Sequence, residues 1–184
     1  MDKEEIVYSC VVGVNSKTDE QRLNNLRKWY QIPEELNPRL AIHGEWCCNP
    51  HFGVGVYEAY FLGGLRIPLN TSARELLTKL GLAVYQFNPN VWRLVISMQI
   101  LWRKVFGGDY PLTVDEFLFC YKPSEISQSL GFYQFTTRGI NCRLIRSLAS
   151  SYKNWKMKFF LSPFSRLGTL WMLVGILLPP MLGT

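Results

Sequence analysis

The sequence predicts a mainly α protein of the α+β class: a compact helical domain around one central buried helix, with a small antiparallel β-meander near the C-terminus. Three observations lead there. Helix-start boxes recur at Thr18 with Gln21, Ser72 with Glu75 and Thr113 with Glu116. The stretch from Asn88 to Phe106 is apolar nearly all round, as a helix packed on most sides would be. After Glu125 the apolar period changes from helical spacing to alternation. With 48% apolar residues, six Trp, nine Tyr and eleven Phe in 184 residues, the chain has enough apolar surface for one sizeable core.

The elements follow in order. Thr18 is the expected cap of a first helix that carries Leu23, Leu26 and Tyr30 on one face, and Pro33 ends it. From Pro33 to Phe52 three prolines and no sustained period predict a loop or linker. In "GVYEAYFLGGLRIPLN", Val56, Tyr60 and Phe61 fall at helical spacing, and Gly63 or Gly64 takes the left-handed conformation that closes a helix. Pro68 then forces an extended residue before a helix that runs from Ser72 through Leu76, Leu77 and Leu80 to Gly81. The double glycine is thus expected to make a tight corner between two helices.

Asn88 caps the strongest helix, Pro89 occupies its first position and Gly107 stands at its far end. Thr113 and Glu116 start a short helix with Phe117, Leu118 and Tyr121, which Pro123 terminates. "FYQFTT", "CRLIRSL" and "WKMKFFL" are read as the strands of the meander. Trp155, Met157, Phe159 and Leu161 form the buried face, with Lys156, Lys158 and Phe160 opposite, and Gly139 and Asn141 supply a turn. The apolar run before Pro179 and Pro180 is shorter than the roughly 20 residues a membrane span needs. Residues 1–17 are therefore expected as an N-terminal segment open to disorder, 18–164 as a single domain, and 165–184 as an apolar tail outside the core.

Five scattered cysteines without paired spacing argue against a secreted disulfide scaffold and for a reducing compartment. The N-terminus is acidic before it is apolar, unlike a signal peptide, so an intracellular location, nucleus or cytoplasm, is expected. The polar residues of the sequon at Asn70 are accordingly expected to start a helix.

In order along the chain, "VYEAYFLGGLRIPL", "LGLAVYQFNPNVWRLVISMQIL", "GFYQF" and "SSYKNWKMKFFLSPF" resemble the plant gypsy-type transposon domain, which is similar to the Gag-like N-terminal region of long-terminal-repeat retroelements. The resemblance covers about Tyr30 to Phe164, and the order of four blocks is more specific than any one of them. It implies a transposon-derived, non-enzymatic domain that works by association with other protein chains, itself included, and it carries over no catalytic residue. Members of that family continue past "NWKMKFF" into polar, Pro-rich sequence, whereas this chain continues into the apolar tail.

No motif speaks for an enzyme. There is no Asp-Thr-Gly or Asp-Ser-Gly of an aspartic protease, no Gly-x-Ser-x-Gly turn, and no Gly-Lys-Ser or Gly-Lys-Thr phosphate loop. Asp109, Asp115 and Glu116 stand too close together for a separated acidic triad. His43, Cys47, Cys48 and His51 crowd into nine positions, but their spacing is not that of a zinc site, so no metal and no cofactor is expected.

The last candidate is the charge. All of the net charge of +6 arises after Glu125, where seven basic residues meet no acidic one. Arg138, Arg143, Arg146, Lys153, Lys156 and Lys158 are the candidate phosphate contacts of a nucleic-acid-binding module in the basic region 138–166, with Tyr152 or Trp155 to stack on bases. Nucleic acid is the alternative partner, and a membrane is not expected. A solvated basic face gives the same pattern, and the phase of Trp155 places it on the buried side.

Overall fold

A computed structural model describes residues 13–47, 54–146, 148 and 152–162. Among these, five α-helices and four short antiparallel strands make an α+β fold. The expected apolar tail 165–184 and most of the N-terminal segment 1–17 lie outside the described residues.

Helix α1 (Glu20–Tyr30) is capped by Asp19, whose side chain accepts from Arg22 N at 2.7 Å. The expected cap, Thr18, is instead buried, and its hydroxyl donates to Glu58 Oε1 at 2.7 Å. A carboxylate at the cap meets the positive end of the helix dipole, which leaves Thr18 to satisfy a buried acid that would otherwise be costly. Leu23 and Leu26 turn to the core.

Strand β1 (Val54–Tyr57) pairs with β4 (Phe159–Ser162), from Val54 opposite Ser162 to Tyr57 opposite Phe159. Val56 is therefore in a strand, and the helix expected there is only the short α2 (Glu58–Leu62). Every residue of both strands is buried. Phe160, expected on the open face, stacks on Phe61 at 6.1 Å, while Phe159 meets Tyr57 edge-on at 6.0 Å. On its other edge β4 is covered by Arg39, whose N donates to Leu161 O at 2.8 Å and whose O accepts from Leu161 N at 2.9 Å. The region expected as a loop or linker thus closes a sheet edge.

After α2, Gly64 has φ +96° and makes the corner, whereas Gly63 is right-handed. Helix α3 (Thr71–Leu80) is capped by Asn70, which accepts from Ala73 N at 2.8 Å, so Ser72 lies inside the helix rather than at its cap. Gly81 closes it at φ +63°. Helix α4 (Pro89–Val105) begins at Asn88 and Pro89 as expected. Its first half is buried through Pro89, Val91, Trp92, Leu94, Val95 and Met98, but Ile100, Arg103, Lys104 and Val105 are exposed. Helix α5 (Val114–Cys120) has its capping box: Glu116 N donates to Thr113 Oγ1, and Thr113 N to Glu116 Oε2.

The meander is not what the chain forms. Strand β3 (Ser129–Thr137), which contains "FYQFTT", pairs backward with β2 (Tyr121–Ile126) in a hairpin separate from the β1–β4 pair. Pro123, expected to end a helix, lies within β2 opposite Phe135. Ile140–Cys142 is a single 3₁₀ turn, and no strand follows it through Arg146. Trp155–Met157 is also a 3₁₀ turn, so β4 begins four residues later than the alternation suggested. The hairpin joins the rest of the fold through Asn88 N, which donates to Tyr133 O at 2.9 Å. One apolar cluster unites both strand pairs with all five helices.

Candidate functional site

The six basic candidates fall in different settings. Arg138 donates from its backbone N to Cys120 O at 2.9 Å and from Nε to Leu118 O at 2.7 Å. It therefore occupies the end of α5, where a cation satisfies the last helical carbonyls. Arg143 lies beside Tyr121, Thr136 and Thr137, at the same end of the hairpin. Lys156 lies at the other end: its Nζ donates to Ser129 Oγ at 2.8 Å and stands 4.1 Å from the centre of the Phe132 ring. Burial holds its ammonium below the usual lysine pKa. The nine residues of β3 between these ends span about 26 Å, so Arg138 and Lys156 do not belong to one patch. Arg146, Lys153 and Lys158 are exposed.

The stacking candidates are already engaged. Trp155 is only 9% exposed and meets Tyr57 edge-on at 4.6 Å and Phe132 at 5.5 Å. Tyr152 has the Arg93 guanidinium 4.3 Å from its ring centre. The loss of Trp155 to the core was legible in its sequence phase, but the Arg93 contact was not.

A surface that sequence reasoning missed lies at the end of α4. Trp102 packs on Phe106 at 5.0 Å and Phe106 on Tyr110 at 6.4 Å, so three rings run from the helix into the following loop. Val105 is 63% and Tyr110 69% exposed. Gly107 and Gly108, at φ +66° and +94°, reverse the chain and bring Tyr110 back toward the helix. Leu112 is buried and closes the loop. Arg103 and Lys104 flank the rings on the helix, and Asp109 on the loop. The signal was present: two cations precede Val105 and Phe106 at a helix end marked by two glycines. Apolar residues at such an end need not face the core.

Two buried carboxylates are held by partners within the fold. Glu58 accepts from Thr18 and from Arg22 Nε at 2.9 Å. Glu45 is held by both terminal nitrogens of Arg39 at 2.6 Å and by Ile42 N at 3.0 Å. Arg39 thereby keeps the Glu45 carboxyl below its ordinary pKa.

The Cys47 thiol is turned into the core against Gly55, near Tyr57, and burial pushes it well up, as it does the Tyr57 and Tyr60 hydroxyls. His43 is exposed, and Cys48 and His51 lie outside the described residues. Among the described residues no group of three or more His, Cys, Asp or Glu is placed to hold a metal ion, and no helix is long and apolar enough to cross a membrane. No family model matches the chain, and neither a curated protein nor a solved structure is significantly similar to it.

Proposed function

We propose that this chain is a transposon-derived, non-enzymatic Gag-like domain that acts inside the cell, in the nucleus or cytoplasm, by binding a second copy of itself. The order of the four sequence blocks supports the family reading. The association rests on one observation: the Trp102–Phe106–Tyr110 ring row at the end of α4, in which Phe106 and Tyr110 are exposed, with the exposed Val105 next to it. Contiguous exposed aromatic and aliphatic side chains rimmed by charge favour protein contacts. A twofold interface uses the same patch on both subunits, so it needs both signs of charge in that patch. Arg103 and Lys104 on the helix and Asp109 on the loop supply them. In this reading α4 is the organising helix of the fold, with its first half in the core and its second half at the contact.

Light scattering on the nuclease-treated full chain tests the proposal. A mass twice that of the chain, unchanged by nuclease, is expected. A monomer throughout the accessible concentration range would contradict it.

Nucleic-acid binding remains the second reading, favoured by one observation. Arg143, Arg146, Lys153 and Lys158 are exposed, and none stands in an ion pair among the described residues. Binding through them would weaken steeply with salt.

A further inference from the structure

We infer that the cavity between α4, the open end of the β2–β3 hairpin and the chain that follows it is a binding site for a small apolar carboxylic acid. Tyr121 pairs with Thr137 at that end of the hairpin. Beyond Thr137 the 3₁₀ turn Ile140–Cys142 brings the chain back, and Ile145 N donates to the Tyr121 hydroxyl at 3.2 Å. Tyr121, Thr137 and Ile145 line one half-open cavity of about 450 Å³, a volume within the range of small-molecule sites.

The apolar part of the lining is held in place. Leu94 comes from the buried half of α4. Phe135 is fixed by Phe87, stacked at 5.9 Å, and by Phe117, edge-on at 4.9 Å. Tyr121 stacks in turn on Phe117 at 5.4 Å. Ile145 and Leu148 complete the wall from the returning chain. Rings already clamped by other rings need no ordering when a ligand arrives, so an apolar body can enter without that cost.

The polar part is small and of one sign. Arg143 is the only charged residue among the described residues of the lining; it is exposed and stands in no ion pair among them. Thr136 is occupied by Ser124, at 2.8 Å between hydroxyl oxygens, which leaves Thr137 and Tyr121 as the hydroxyls beside Arg143. The Tyr121 oxygen accepts from Ile145 N, so a ligand would take its proton. A guanidinium presents a planar fork that matches a carboxylate, and two hydroxyls can donate to the same oxygens. A phosphate dianion calls for more positive charge or a row of backbone N–H groups, and a cation would be repelled by Arg143. One anionic group on an apolar body is therefore the ligand this lining fits. The site is independent of the contact at the end of α4, and it competes with nucleic acid for Arg143.

The test is titration of the isotope-labelled full chain with phenylpropionate and with its uncharged isostere phenylpropionamide, followed by amide NMR. The acid should shift Thr137, Arg143 and Ile145 saturably, and the amide should bind about tenfold more weakly or worse. Arg143→Gln, at an exposed residue, should keep the melting temperature and lower the acid to the affinity of the amide. Leu148→Ser should weaken both probes alike. Should either variant fold poorly, the comparison of acid and amide on the parent chain decides alone. Equal affinity for acid and amide, no saturable shift with either, or acid binding indifferent to Arg143→Gln would overturn the inference. So would a short DNA duplex that shifts Arg143 together with Lys153 and Lys158 while phenylpropionate leaves Arg143 unmoved.

Discussion

Gly55 lies directly beneath Cys47: a β-carbon at residue 55 would stand 1.9 Å from the Cys47 carbonyl oxygen and 2.2 Å from its sulfur. The glycine is required here by close approach, since its backbone is ordinary strand. Gly55→Ala should therefore destabilise by at least the 1–3 kcal/mol of about one overpacked site. Trimming the thiol with Cys47→Ala should not rescue it, because the nearer obstacle is backbone. Denaturant unfolding of the single and double variants checks both statements.

The corner that follows α2, packed against α4, rests on the two glycines for different reasons. Gly64 needs its positive φ, and a β-carbon there would meet Ile96 Cγ1 at 3.3 Å. A β-carbon on Gly63 would stand 2.8 Å from Pro89 O, against the start of α4. Each change to Ala should cost roughly 1 kcal/mol or more. Ile96→Ala, which removes both γ-carbons, should relieve part of the contact cost at residue 64 and none at residue 63. Thermal melts of the four variants separate strain from contact.

Glu45 and Arg39 make stability depend on pH. The folded carboxyl lies below its ordinary value of 4.5, so its contribution is present above that value and is lost as pH falls through the lower folded one. Glu45→Gln should flatten this acid limb and cost about 1–3 kcal/mol at neutral pH, less than a fully buried pair because Arg39 remains partly exposed. Stability measured from neutral pH down through the carboxylate range gives the slope.

Lys156 should behave as a structural residue. Its ties to Ser129 and the Phe132 ring predict that Lys156→Gln loosens the β2–β3 turn by about 0.5–1.5 kcal/mol. Amide exchange at Gly131 and Phe132 should rise. Any affinity for nucleic acid should be lowered by Lys153→Gln and Lys158→Gln instead, as titration of labelled DNA would reveal.

What the sequence made legible has a physical pattern. The starts of α4 and α5 were readable because their caps are local: Asn88 with Pro89, and Thr113 with Glu116, need no distant partner. The first cap was misplaced by one residue because Thr18 has a partner forty positions away. Strands β1 and β4 were obscured because burial on both faces erases alternation, as Phe159, Phe160 and Leu161 demonstrate. Pairing by proximity in sequence suggested a meander, whereas β4 reaches back to a strand about a hundred residues earlier. At the candidate site, the basic residues were found by charge alone. Charge does not reveal that Lys156 and Arg138 lie at opposite ends of a hairpin.

The central claim, self-association through the end of α4, is tested most directly by sedimentation equilibrium of the full chain beside Val105→Asp and Tyr110→Ser. Both residues are exposed, so the variants should keep the melting temperature of the parent. The account predicts a dimer whose dissociation constant rises at least about tenfold in Val105→Asp, equivalent to about 1.4 kcal/mol. It also predicts a smaller rise for Tyr110→Ser. A dimer indifferent to both substitutions, or a parent chain that stays monomeric, would contradict it.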